Sequence, residues 1–127
     1  MRFMMMVKAT KDSEAGLPHS PELTATIGKF TEEGIRAGVV VDVGGLVPTS
    51  QGARVRVGRG KVSVTDGPFT EAKELVGGYA IIEVKSRAEA VEIGKDLMQL
   101  HGDVLGPIYE GEVEIRQIVG APDVGPT

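Results

Sequence analysis

His101 is the most chemically versatile side chain in this 127-residue sequence, because an imidazole titrates near neutral pH and can give or take a proton. Asp66, at the head of Asp66-Gly67-Pro68-Phe69, is the second candidate, as a base or as a ligand anchor. Both also have a purely structural account. A histidine near a helix end can serve the last carbonyls and the helix dipole. Asp, Gly and Pro in succession are turn formers: Asp accepts backbone N–H bonds, Gly permits an unusual dihedral and Pro fixes the next one. Glu71, Lys73 and Glu74 follow in a short polar run, either as a solvated surface with weak charge pairing or with Glu71 or Lys73 aimed at a cleft. Further on, Glu114 and Arg116 alternate with Val113 and Ile115, so they share the opposite face of a strand. There Arg116 either pairs structurally or holds an anionic ligand.

Other chemistries drop out. There is no cysteine, so no disulfide, thiol nucleophile or cysteine zinc site exists. His19 and His101 are too few for a histidine-rich metal site within one chain. The net charge of −4 opposes nucleic-acid binding, which needs a basic face for the phosphates. A basic run does occur at Arg54, Arg56, Arg59 and Lys61. It lacks aromatic neighbours to stack bases and suits a charged sheet edge that discourages strand addition. Gly58-Arg59-Gly60-Lys61 is no phosphate loop, since Val55 stands where a glycine is required and Val62 follows the lysine. No stretch reaches the length of a membrane span, and the apolar N-terminus stops at Lys8 without a cleavage site. A cytoplasmic protein is the expectation.

The elements that must position these residues follow from periodicity. Residues 2–8 alternate, with Phe3, Met5 and Val7 on one face and Met4 and Met6 on the other. Both faces are apolar, as in a central strand. Residues 9–20 are polar, contain Gly16 and Pro18, and read as a loop. Ser20-Pro21 opens a helix with Leu23, Ile27, Phe30 and Gly34 on one stripe and Gly38 as its stop. Residues 39–43 form a second strand. Residues 54–57 and 61–65 form a hairpin around Gly58-Arg59-Gly60, ended by Asp66-Gly67-Pro68-Phe69. Residues 78–84 are a strongly apolar strand. Ser86-Arg87-Ala88-Glu89 is a capping box for a second helix striped with Ala90, Ile93, Leu97 and Leu100, ending around Gly102 and Gly106-Pro107. Residues 112–119 alternate as the last strand, and 120–127 read as a loose tail after a domain of residues 1–119. With aromatics at 4% and no tryptophan, the core must be aliphatic.

The order is β-α-β-(hairpin)-β-α-β, an α+β domain. Two helices cover only one face of such a sheet. The other would expose Met4 and Met6, and an exposed apolar patch marks an interface, so a homodimer is expected.

The run from Val64-Thr65-Asp66-Gly67-Pro68-Phe69 through Thr70-Glu71-Ala72-Lys73-Glu74-Leu75-Val76-Gly77-Gly78-Tyr79 resembles the signature of the DGPF subgroup of YciI-like (YCII-related) proteins. Phe3-Met4-Met5-Met6-Val7-Lys8-Ala9, residues 38–48, His101-Gly102 and Glu112-Val113-Glu114-Ile115-Arg116-Gln117-Ile118 resemble it too, so the likeness runs from about residue 2 to 119. It implies a ferredoxin-like fold with an antiparallel sheet that pairs as a dimeric α/β barrel. The functional reading of Asp66 puts it at the mouth of the barrel cleft as a base or ligand anchor, beside the structural reading as a turn residue. Some members are linked to extracytoplasmic-function sigma factors, and relatives in the wider superfamily are small, often cofactor-free enzymes. Similar sequences often read Gly-Glu-Gly-Leu-His-Pro where this one has Val43-Gly44-Gly45-Leu46-Val47-Pro48, so an acid and an imidazole are replaced by Gly44 and Val47. Relatives are proposed to use a His-Asp pair; His19 stands where such a histidine occurs, without matching surroundings.

The expectation is thus a cofactor-independent, homodimeric small-molecule-binding protein. One version is an enzyme with Asp66 and His101 as catalytic acid and base and Glu71, Lys73, Tyr79 and Arg116 binding the ligand. The other is a non-catalytic regulatory or binding module.

Overall fold

The computed structural model describes residues 1–71 and 74–120. Among the described residues, six strands and three helices follow in the order β1 (Arg2–Lys8), α1 (Lys11–Glu14), α2 (Pro21–Arg36), β2 (Val40–Gly45), β3 (Ala53–Gly58), β4 (Lys61–Asp66), β5 (Val76–Glu83), α3 (Arg87–Leu105) and β6 (Val113–Ile118), with a 3-10 turn at Thr49–Gln51. Strands β2, β5, β1 and β6 make an antiparallel sheet in that order, and β3 and β4 make a separate two-stranded sheet. This is the expected α+β, ferredoxin-like arrangement, with β1 paired on both sides.

The caps expected for the long helices form. Ser20 Oγ accepts from Leu23 N at 3.2 Å and Ser86 Oγ from Glu89 N at 3.2 Å, each satisfying an amide that the first helical turn leaves unpaired. Two boundaries differ from expectation. The expected loop at 9–20 holds α1, because Thr10 and Ser13 cap each other: Thr10 Oγ1 accepts from Ser13 N at 3.1 Å, and Ser13 Oγ from Thr10 N at 2.8 Å. Helix α3 runs through Gly102 to Leu105 before Gly106 ends it. His101 and Val104 extend the stripe of Leu97 at helical spacing, and His101 is buried, so packing outweighs the weak helix propensity of one glycine.

The core lies between the sheet and the helices. Phe3, Met5, Ile82, Val84, Ala90 and Leu97 are buried there, with Phe30, Ile93, Met98, Val113 and Ile115 packed around them. Burying one such aliphatic side chain contributes about 2–3 kcal/mol. Both long helices thus lie on the Phe3–Met5 face, and neither covers the other sheet face. No described helix is long and apolar enough to cross a membrane. Hairpin β3–β4 stands outside this core: every residue of both strands is exposed. Its two-residue turn has positive φ at Arg59 (51°) and Gly60 (74°), the primed geometry that matches strand twist.

Candidate functional site

Alternation along β1 turns Phe3 and Met5 into the core and leaves Met4, Met6 and Lys8 on the helix-free face. Residues directly opposite across an antiparallel pair share a face, so the register defines two rows running across the sheet. One is Gly44, Tyr79, Met6 and Glu114; the next is Asp42, Ile81, Met4 and Arg116. The floor of this surface is apolar, with Met4, Met6, Tyr79 and Ile81 all half-buried.

Asp42 stands at the β2 end of that floor, and the ion-paired charges sit at the β6 side. Glu114 lies between two cations: Lys8 Nζ at 3.1 Å from Oε1 and Arg116 Nη1 at 3.9 Å from Oε2. The Lys8 side chain is 16% exposed and that of Arg116 74%. The closer, more buried lysine is therefore the structural partner of the carboxylate, and the guanidinium keeps its donors for another acceptor. Tyr79 occupies the other end of its row. Its ring lies across β2 where a side chain on residue 44 would be: a Cβ there would stand 2.5 Å from Tyr79 Cε1 and 2.8 Å from its hydroxyl. Gly44 is thus the space that lets the phenol cover the edge of the face.

The Asp66-Gly67-Pro68-Phe69 turn belongs to a different region. It closes the hairpin through Gly67 N to Gly52 O (3.0 Å) and is fastened to α1 through Thr49. The Glu14 carboxylate accepts from Thr49 N (3.1 Å) and from Thr49 Oγ1 (2.8 Å), and Thr49 Oγ1 in turn accepts from Phe69 N at 3.0 Å. Arg54 lies over the Phe69 ring at 3.8 Å from its centroid, within cation–π range. The turn residues are therefore used as turn residues. Asp66 is exposed and its carboxylate has no hydrogen-bond or ion-pair partner among the described residues. Glu71 is exposed and its carbonyl accepts from Glu74 N at 2.9 Å. Lys73 lies outside the described residues.

Replacing Thr49 with valine keeps the shape and removes the hydroxyl at the centre of this chain of bonds. A loss of about 1–2 kcal/mol is expected in urea unfolding; an unchanged midpoint would show that the Glu14–Thr49–Phe69 link is idle.

His101 is 5% exposed on the helix side of the molecule. Its Nδ1 lies 2.8 Å from Leu97 O, and since a carbonyl only accepts, Nδ1 carries the proton. Its ring stacks on Tyr109 (centroids 5.7 Å apart, planes at 23°), whose hydroxyl burial pushes above its usual pKa. No hydrogen bond, ion pair or ring contact joins His101 to Asp66 among the described residues. Of the six candidates, the structure brings Tyr79 and Arg116 to one face. It places Asp66, Glu71 and His101 elsewhere. Glu114, expected beside Arg116 on this strand face, pairs with it and with Lys8; Lys8 and Tyr109 complete these surroundings without having been singled out, and the alternation of β1 could have found Lys8.

Two concavities lie away from this face. One, of about 300 Å³, is lined by Phe30, Asp96, Gln99 and Leu100, and the other, of about 350 Å³, by Arg56, Gly58, Arg59, Lys61 and Ser63. Neither contains a candidate residue.

The fold and this face define a small two-layer α+β protein with one sheet surface left open. A model of the YCII-related domain matches residues 1–104, and the chain belongs to that family. The matched span ends within α3, so Glu114 and Arg116 lie beyond it. The chain is also similar to the uncharacterized protein R00369 of Rhizobium meliloti (strain 1021), with 38% identity over 76 residues, 60% of this chain and 58% of that protein. The match therefore spans less than two thirds of that relative's length.

Proposed function

We propose that the protein is a homodimeric member of the DGPF subgroup of this family and binds a small anionic molecule with an apolar or aromatic body against the helix-free sheet face. The Asp66-Gly67-Pro68-Phe69 motif supports the subgroup. The observation that carries the binding reading is the pair of rows across the sheet: an apolar floor with the Tyr79 phenol at one end and, at the other, an Arg116 guanidinium only loosely held by Glu114. An apolar floor supplies affinity and a few placed polar groups set orientation. A second copy laid on the same face supplies a second wall.

Two measurements test this. Light scattering at micromolar concentration should give the mass of two chains; a single-chain mass sinks the dimer. A panel of aromatic carboxylates screened by thermal shift should include members that raise the melting temperature, as ligand binding to the native state requires. The shift should disappear in Arg116→Gln. A shift of equal size in that variant places binding elsewhere.

Proton transfer by His101 and Asp66 is a second reading, favoured by one observation. With Nδ1 bonded to Leu97 O, the His101 Nε2 is left as the basic nitrogen. Because no contact joins the two residues among the described residues, this reading requires a substrate or the other copy to bridge them. Turnover unchanged in His101→Gln would eliminate it.

A further inference from the structure

Hairpin β3–β4 presents an amphipathic problem that one chain leaves unsolved. Its register sets Val55 opposite Val64 and Val57 opposite Val62, so these four valines form one continuous face. Arg54 and Arg56, opposite Thr65 and Ser63, form the other. Cross-strand β-branched pairs normally mark a covered surface, yet Val55, Val57, Val62 and Val64 are 70%, 70%, 71% and 64% exposed. A lone two-stranded hairpin is marginal in water unless something packs on it.

We propose that this hairpin is an arm that closes on a second copy of the chain, valine face inward. Charge selects that occupant. Of the 14 basic and 18 acidic residues of the chain, Arg54, Arg56, Arg59 and Lys61 lie in residues 53–66, with Asp66 as the one acid there. The remainder carries 10 basic residues against 17 acidic ones. A positive arm on a negative body is drawn to the body of another copy. Arg56 and Lys61 stand on the face away from the valines, so this attraction acts at long range and steers the arm toward the body rather than pairing charges beneath it. That body also offers exposed apolar side chains, Val41, Val43, Leu46 and Val47.

Area points the same way. Four exposed valines make an apolar patch of on the order of 400 Å², the size at which such a patch marks association. That is about half of the ~800 Å² each partner contributes to a stable interface. The open sheet face supplies the rest, so the inference rests on the dimer proposed above and adds a second, separate contact to it.

The test compares the full-length protein with Val57→Thr/Val62→Thr and with Met4→Lys by sedimentation velocity over a concentration series. The hairpin variant should keep the wild-type circular dichroism, because its side chains take no part in the core, while its dimer dissociation constant rises at least 30-fold. Met4→Lys probes the sheet face alone. A wild-type dimer whose dissociation constant is unchanged in the hairpin variant overturns the arm and leaves the sheet-face dimer standing. A monomeric wild type overturns both. The chain has no cysteine, so Val57→Cys carries a unique photocrosslinker. In a mixture of 15N-labelled and unlabelled chains, crosslinks from it should join labelled to unlabelled peptides. Crosslinks confined within single chains contradict the arm.

Discussion

Gly67→Ala is expected to cost about 3 kcal/mol, lowering the melting temperature by roughly 10 °C. A Cβ at residue 67 would run into the Thr49 carbonyl oxygen and stand 2.6 Å from its carbon and 3.3 Å from Ser50 N. These are backbone atoms. They are also held in place: Thr49 by Glu14 and Phe69, and Gly67 itself by its bond to Gly52 O. A flexible side chain could swing aside, whereas here the 3-10 turn and the hairpin base must separate. Gly38→Ala is the control. Gly38 has φ of +75° but nothing within 4 Å of an added Cβ, so it meets only dihedral strain of about 1 kcal/mol. Equal melting temperatures for the two variants would refute the steric account of the motif.

Gly44→Glu is expected to abolish the ligand-induced thermal shift while costing only about 1–2 kcal/mol of stability. The atoms in the way of its side chain are the far end of Tyr79, a ring on two rotatable bonds. It can leave, but it then no longer covers the edge of the face. The chain has two tyrosines and no tryptophan, so ring resonances of Tyr79 can be assigned by comparison with Tyr79→Phe. They should move in Gly44→Glu, while those of Tyr109, stacked on His101, stay. Unmoved Tyr79 signals would mean that the ring does not lie over residue 44.

What was legible in the sequence depended on periodicity and caps. The alternation in β1 announced a strand with two apolar faces, and Ser20-Pro21 and Ser86 marked both long helices, because those signals are local. The face shared by Tyr79 and Arg116 was only half legible. Arg116 follows from alternation within β6, but its alignment with Tyr79 needs the register of β1 against both neighbours. Gly44 read as a loss of chemistry, because only the structure shows the ring that fills its place. His101 read as a helix-end residue; the helix continues four residues beyond it because the apolar stripe does, and burial follows. Asp66 and His101 were paired by chemical type alone, with no signal in the chain to set their distance.

The position of β1 has a consequence for synthesis. This first strand pairs only with β5 and β6, so Met5 meets Ala80 and Ile115, contacts of high sequence separation that slow folding. On the ribosome, the apolar run Phe3-Met4-Met5-Met6 emerges well before β5 and β6 and waits for these partners until both are out. Until then it is an unpaired, aggregation-prone strand. The nascent chain should therefore depend on chaperones, through β1, far more than the finished protein does.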